Sequence, residues 1–456
     1  MDNQLITSIW GDEGFSAILS MRPIPEILKI VSQDTSPPLW NILLHCTFQL
    51  FGTSEVVIRS LSLIFYILAI IFTFRIGSIL WSKKTGAIAA SLTALNPFFF
   101  MYAFEGRMYS ILALGVTASM YHFLKIITRE KGEITKTTTK IGYVFWTLWA
   151  LYSHHFATFA LVAQGLWFLY EIALGNRKNG RILFKLFLFV GLGYIPWIWP
   201  LYMQITKLSS GFWLGKPDYE DLKILIYDYL AEGIKSLDYK IPLLNLPIHK
   251  LALYSVFGIL LTRKWWKGIK KSLFLLLWFF APIATVWIIS QYFTSIFYNR
   301  YLLFTIPSAM LILASLRSKL SIIPISLTII IFGIIDFHYF VNPTKMPFRE
   351  YSAYVKNILS EDENIFLINW NSSAHHLWES KYYKITAPLY LPNGNNLPYY
   401  VGTALMTEED IIRKLPNASK IGVITSGNPD EVVFEGYKKT EMKNFEGLKF
   451  LLFEKG

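Results

Sequence analysis

Cysteine is almost missing from the 456-residue chain. Cys46 stands alone, which excludes an intramolecular disulfide framework and any multi-cysteine zinc or iron–sulfur site. By itself it reads as a small buried apolar residue. Charge is scarce as well: 16% of the residues are charged, against roughly 25% in soluble proteins, too few to cover several water-soluble cores. The phosphate loop G-x-x-x-x-G-K-[ST], the dinucleotide fingerprint G-x-G-x-x-G and the zinc motif H-E-x-x-H are all missing. So is the Asp-x-Asp pattern that holds a nucleotide-bound metal, and a nucleotide-linked substrate is therefore not expected. Met1 to Ser20 has no charged region followed by an apolar run, so a cleaved signal peptide is not expected either. There are no internal repeats or low-complexity tracts.

What is present is apolar and aromatic. Hydrophobic residues make up 53% of the chain, with 15 Trp, 26 Tyr and 35 Phe, a mixture suited to a bilayer core and its interfaces. Crossing about 30 Å of hydrocarbon takes about 20 mostly apolar residues. The segments Val56 to Leu80, Thr85 to Tyr102, Met108 to Ile127, Ile182 to Met203, Ser272 to Tyr292 and Leu320 to Val341 satisfy this. Ile141 to Ser153, Phe156 to Leu174 and Tyr301 to Leu316 are shorter. Leu251 to Thr262 is the weakest, with a start expected nearer Pro247. The expected fold class is an all-α polytopic membrane bundle of about ten transmembrane helices.

Basic residues recur at every second connection, in five clusters. These are Lys83 and Lys84; Lys125, Arg129, Lys131, Lys136 and Lys140; Arg177, Lys178, Arg181 and Lys185; Arg263, Lys264, Lys267, Lys270 and Lys271; Arg317 and Lys319. Together they hold 18 Lys/Arg against two acids, Glu130 and Glu133, although the whole chain carries only +12. Retention of Lys and Arg on the cytoplasmic side turns an apparent nucleic-acid footprint into a topology signal, and no nucleic-acid partner is expected. The intervening connections then face the extracytoplasmic side of a multi-pass cell-membrane protein.

Three regions follow. Residues 1–55 form an external loop containing the apolar run Pro38 to Phe51, which reads as an interfacial helix. Residues 56–344 form the transmembrane bundle. Residues 345–456 form a small external α/β domain, with strands expected at Ile365 to Trp370, Ile421 to Thr425 and Lys449 to Phe453. A helix is expected from Thr407, where Asp410 gives a capping-box spacing.

Ionisable groups at membrane depth are costly unless paired or wetted, and here they gather on the external face. Asp12 and Glu13, flanked by glycines, offer a general base for an acceptor hydroxyl, or else a solvated turn. Asp34 precedes the Pro37-Pro38 pair, which presets the entry to the next helix; it reads alternatively as a turn or capping aspartate. Glu105 and Arg107 share a very short external connection, where Arg107 suits a phosphate oxygen and a plain helix-capping pair is the alternative. His154 and His155 interrupt a long apolar run, as phosphate donors or as the wet end of a hairpin; adjacent on a helix they would diverge and not share one metal. Arg300 is a second candidate phosphate ligand, or a snorkelling interfacial cation. No metal site is identified; the cofactor expectation is none, with a divalent metal as the alternative.

The order Trp-x-Asp-Glu-x-Phe-Ser (Trp10 to Ser16), Asp-x-x-Pro-Pro-Leu-Trp (Asp34 to Trp40), Phe-Gly-x-Ser-Glu with Arg-x-Leu-Ser (Phe51 to Ser62) and Glu-x-Arg-Met-Tyr (Glu105 to Tyr109) resembles the family-39-like GT-C glycosyltransferases. That group contains the protein O-mannosyltransferases and the bacterial lipid A aminoarabinose transferases. The resemblance spans roughly residues 8–340 and is strongest over the first 165. It implies a GT-C bundle with its site in the first external loop and a polyprenyl-monophosphate-linked sugar as donor. It also implies a glycan, lipid or protein acceptor and inverting transfer. Asp12 matches the family's catalytic aspartate and Glu13 its neighbour; Glu105 and Arg107 would line the site, and His154 falls in a Thr-His-Tyr-like motif written here Ser-His-His. Two departures stand out. Ser36 occupies a position where many relatives have His. Relatives also place a membrane span before the Asp-Glu loop, whereas eleven residues precede Asp12, so the expectation is a start codon assigned too far downstream or a chain without that first span.

The expected reaction is therefore direct displacement, with Asp12 deprotonating the acceptor while Arg107, Arg300 or a histidine stabilises the departing phosphate. A polymerase or ligase of lipid-linked glycans is the nearest alternative. A transporter would instead place charges in broken helices near the bilayer midplane. A non-catalytic receptor would bind through residues 345–456, and an enzyme is expected to keep some transfer when that region is deleted.

Overall fold

The computed structural model describes residues 2–128, 134–209, 211–233, 240–241, 246–262, 269–315, 319–370, 374–392 and 397–456. The side chains of 240, 241, 269, 270 and 319 lie outside that description, as do Arg129, Glu130, Lys131, Glu133, Arg263, Lys264, Lys267 and Arg317 of the charge pattern. The chain divides into two compact units, one of Met1–Thr35, Asn41–Ile58 and Asn342–Gly456, the other of Ser36–Trp40 and Arg59–Val341.

The second unit is helical, and each expected span coincides wholly or partly with a helix. Among the described residues, five helices are long and apolar enough to cross a bilayer: Glu55–Leu80, Tyr109–Ile127, Arg177–Ser209, Lys271–Tyr292 and Ile322–Val341. The expected Thr85 to Tyr102 span is broken. Lys83–Ala94 and Pro97–Phe104 meet at a 59° bend and make a sixth span only when joined. Asn96 and Pro97 account for the bend: proline disfavours helical backbone at the residue before it. Asn96 starts the new helix by accepting from the Phe99 N–H at 3.0 Å. Among the described residues, helices of that length thus number five, or six with the bent pair joined. The remaining segments fold as short helices: Thr137–Ser153, Ala157–Ala173, Ile248–Leu261 and Ile306–Ala314. The 14 residues of Ile248–Leu261 rise only about 21 Å. That helix does begin after Pro247, as expected.

Tyr109–Ile127 is central, 78% of its span buried, whereas Arg177–Ser209 is only 22% buried and exposes Leu188, Phe189, Leu192, Ile195, Ile198 and Trp199. Small residues let the central helix close on its neighbour: a Cβ on Gly115 would lie 2.9 Å from the Ala150 backbone. Ser119 and Thr147 bridge the same pair at 2.8 Å, the small-residue and hydroxyl packing typical of bundles in lipid.

The first unit contains a six-stranded sheet in the order Ile411–Ile412, Leu389–Tyr390, Ile365–Asn369, Lys420–Thr425, Leu448–Lys455, Tyr437–Phe445. The first four strands run parallel, and the last two pair antiparallel. All three expected strands are present. The helix expected from Thr407 is only a 3-10 turn, Glu408–Asp410, because Ile411 passes directly into a strand. Its capping aspartate is there, with Asp410 Oδ2 accepting from the Thr407 N–H at 2.7 Å. The helix Gly11–Ser20 packs on His375–Tyr382. Gly11 and Gly14 make that approach feasible, since a Cβ on Gly11 would lie 2.7 Å from the His375 backbone and one on Gly14 3.0 Å from that of Trp378. Phe15 meets Trp378 edge-on at 5.3 Å. Cys46 is exposed, contrary to its reading as a core residue. On an apolar helix, Leu39–Phe51, low polarity does not imply a place in the core.

Candidate active site

In the second unit the short connection between Tyr102–Phe104 and Tyr109–Ile127 carries Glu105 and Arg107. Two hydroxyls fix it. Ser62 donates to the Glu105 carbonyl at 2.6 Å and Ser110 to the Tyr102 carbonyl at 2.7 Å. The Arg107 N–H also donates to the Glu105 carbonyl, at 2.8 Å.

His154 and Arg300 join this connection. His154 ends the helix Thr137–Ser153 in extended conformation, φ −159° and ψ 138°, so the two histidines do not continue a helix. Its ring is buried against Tyr301, Phe156 and Tyr109, at centroid distances of 5.1, 5.2 and 6.4 Å. Burial, reinforced by the charges of His155, Arg107 and Arg300, holds the His154 imidazole well below its usual basicity, so it is neutral at pH 7. Its Nδ1 accepts from the Phe156 N–H at 3.1 Å, which leaves the single ring proton on Nε2 as a donor. The Arg300 guanidinium lies over three phenol rings, 4.8 Å from Tyr298, 5.4 Å from Tyr109 and 5.9 Å from Tyr301, cation–π contacts that help to hold it in place. The structure thus gathers Glu105, Arg107, His154 and Arg300, two guanidiniums and one neutral imidazole donor against one carboxylate. Such an arrangement suits a phosphate. His155 is turned elsewhere: its Nε2 meets Gln204 Oε1 at 2.7 Å, and the Gln204 amide reaches the Ser36 carbonyl at 3.4 Å.

The first unit holds the other three sequence candidates. Asp12 and Glu13 occupy the first turn of Gly11–Ser20, where carboxylates favour the helix dipole. Their situations differ. Glu13 is fully buried and ion-paired to Lys345 Nζ at 2.9 Å, whereas Asp12 is partly exposed. Asp34 follows the helix Ile24–Gln33 as its C-terminal cap and is buried. Burial first, then Tyr400 and the Asp34 charge, push the Tyr399 phenol up to about 12.

Several residues that matter to this arrangement were not singled out from sequence. Tyr298 and Tyr301, which no spacing rule marks, frame Arg300 together with Tyr109, the last residue of the Glu-x-Arg-Met-Tyr motif. Glu55, inside the Phe-Gly-x-Ser-Glu motif, pairs with Arg349 at 2.9 Å and accepts from Tyr383 at 2.7 Å. A glutamate in a motif just before a membrane span was the available signal. Among the described residues, no three His, Cys, Asp or Glu side chains form a group that would hold a metal ion.

Residues 35–199 match the model of a family described as dolichyl-phosphate-mannose-protein mannosyltransferase. Glu105, Arg107, His154 and His155 fall within that stretch; Asp12, Glu13, Asp34 and Arg300 fall outside it. No curated protein matches the chain in sequence. Among solved structures, the chain has the fold of ArnT from Cupriavidus metallidurans, a GT-C protein. The crystal structure of ArnT bound to undecaprenyl phosphate aligns with a TM-score of 0.60 and 10% identity, covering 98% of this chain and 94% of that one. The apo ArnT structure gives 0.45 and 11% over the same shares. The GT-C fold implied by the sequence motifs is therefore the fold observed.

Proposed function

We propose that the protein is an integral-membrane glycosyltransferase that moves a sugar from a polyprenyl monophosphate to an acceptor hydroxyl or amine at the extracytoplasmic face, with inversion. The observation that carries the reading is the cluster of Arg107, Arg300 and neutral His154 in the second unit. It lies at helix ends rather than mid-span, as a site for a lipid headgroup would. The family match over residues 35–199 supports the same reading, as does a fold shared with a protein crystallised with undecaprenyl phosphate.

In this mechanism the acceptor oxygen or nitrogen attacks the anomeric carbon, and the bond from that carbon to the phosphate oxygen breaks. The electron pair leaves on the phosphate, where Arg107 and Arg300 stabilise the added charge and Nε2 of His154 donates a hydrogen bond. The acceptor proton passes to Asp12. Of the adjacent pair, Glu13 is fully buried and Asp12 partly exposed, and Asp12 takes the base role. Holding both reactants side by side contributes as much as the base, since it removes entropy from the barrier.

Membranes carrying the protein, incubated with radiolabelled polyprenyl-monophosphate sugars, should move label to an acceptor. Arg107→Ala should abolish the transfer while the protein remains in the membrane. Absence of transfer from every monophosphate donor, with transfer from a diphosphate-linked glycan instead, would overturn the assignment in favour of a polymerase or ligase.

A further inference from the structure

A cavity of about 340 Å³ opens in the second unit between the segment Leu214–Pro217, the helix Tyr219–Tyr227 and residues Phe297–Asn299. Its volume is at the lower end of the roughly 300–1,000 Å³ typical of small-molecule sites, too small for a polyprenyl chain. Its polar lining is Lys216, Asp221, Asp228 and Asn299, two carboxylates against one ammonium. That balance disfavours a phosphate and favours a group rich in hydrogen-bond donors, because carboxylates accept strong charge-assisted bonds from hydroxyl or ammonium protons. Phe297 and Tyr298 supply aromatic wall, against which the apolar face of a pyranose can lie. The backbone beside it is also unusual. Immediately after Tyr227 the helix continues as one π-helical turn, Asp228–Glu232, an irregularity that occurs often at functional sites and sets Asp228 in the cavity wall. Tyr298 joins this cavity to the cationic cluster, since it is a lining residue and its ring lies 4.8 Å from the Arg300 guanidinium.

We propose that this cavity is the subsite for the sugar of the lipid-linked donor, with Asp228 and Asp221 accepting from its hydroxyl or amino groups while Arg300, across Tyr298, holds the phosphate. This rests on the reading of the protein as a polyprenyl-phosphate-sugar transferase. It divides donor recognition into an acidic compartment for sugar and a basic one for phosphate, separated by one aromatic ring.

The test is lipid binding to the purified full chain in nanodiscs, followed by native mass spectrometry. The probes are undecaprenyl phosphate and its mannosyl, glucosyl and aminoarabinosyl esters. The wild-type protein should bind at least one ester tenfold or more tightly than the bare lipid. Asp228→Asn should remove that difference without weakening the bare lipid, whereas Arg300→Ala should weaken both. Gly215→Trp provides a second variant in case the buried aspartate is needed for folding: Gly215 lines the cavity and a Cβ there meets no atom within 4 Å, so the substitution adds bulk at the cavity wall without a backbone clash at Cβ. It should likewise abolish the preference. Equal binding of bare and glycosylated lipids, or a preference that survives both variants, overturns the subsite alone. Failure to bind any of the four lipids overturns both the subsite and the transferase reading.

Discussion

At the residue scale, two neighbours that look alike in sequence have different surroundings, Glu13 buried against Lys345 and Asp12 partly exposed. On the proposed mechanism, Asp12→Asn should lower transfer by about 10²–10⁴-fold, the usual contribution of a general base; a radiolabel assay normalised to the protein present in the membrane checks it. Glu13→Gln should do something different, since it leaves the Lys345 ammonium, only 10% exposed, without its counter-charge. Breaking a buried pair from one side costs about 3–5 kcal/mol, so the expected result is a large drop in melting temperature, recovered in part by Glu13→Gln combined with Lys345→Met. The adjacent acids were legible in the sequence. The difference in their surroundings was not, because it depends on a lysine some 330 residues away.

The histidine pair gives a pH dependence of definite sign. Burial lowers both imidazoles, His155 to about 4 and His154 well below normal, so in the unfolded chain they take up protons near pH 6.5 while in the folded protein they do not. Stability attributable to them is therefore unchanged above pH 6.5 and falls below it, by about 1.4 kcal/mol per pH unit for each ring. Melting curves from pH 7.5 to 5.0 should slope downward, and His154→Gln should flatten the slope.

At the scale of elements, helix positions were readable because apolar run length marks them. The break at Asn96-Pro97 escaped because the apolar composition continues through it. Helix crossings escaped as well, since glycine spacing alone does not say which helix approaches. Gly77 and Gly86 illustrate the point: a Cβ on Gly77 would lie 2.7 Å from the Gly86 Cα, backbone that cannot move aside. Gly77→Ala should destabilise by about 1–3 kcal/mol as an overpacked contact. Gly165→Ala, in a helix with nothing within 4 Å, should be neutral or stabilising by up to about 1 kcal/mol. Thermal unfolding of the purified variants separates the two outcomes.

At the scale of the molecule, contiguity in sequence was a poor guide to the units. The regions 1–55 and 345–456 look independent along the chain, but the structure groups residues from both in one unit. Within it, Trp378 takes Phe15 on its edge, Lys345 neutralises Glu13, and Arg349 and Tyr383 hold Glu55. Deletion of residues 345–456 is therefore expected to abolish transfer, in contrast to the partial retention that sequence alone suggested for an enzyme. The helix bearing Asp12 would lose its packing partner. Immunoblots of membranes should show the truncated protein at reduced level, and surviving material should lack transfer activity.

The ion pair between Glu13 and Lys345 also sets a schedule. At a synthesis rate of about 5–20 residues per second, the ribosome delivers Lys345 on the order of 20–70 s after Glu13. Through that interval the helix Gly11–Ser20 has neither its counter-charge nor the tryptophan that covers Phe15. The spans between Glu13 and Lys345 are therefore synthesised before the helix Gly11–Ser20 can gain these two contacts.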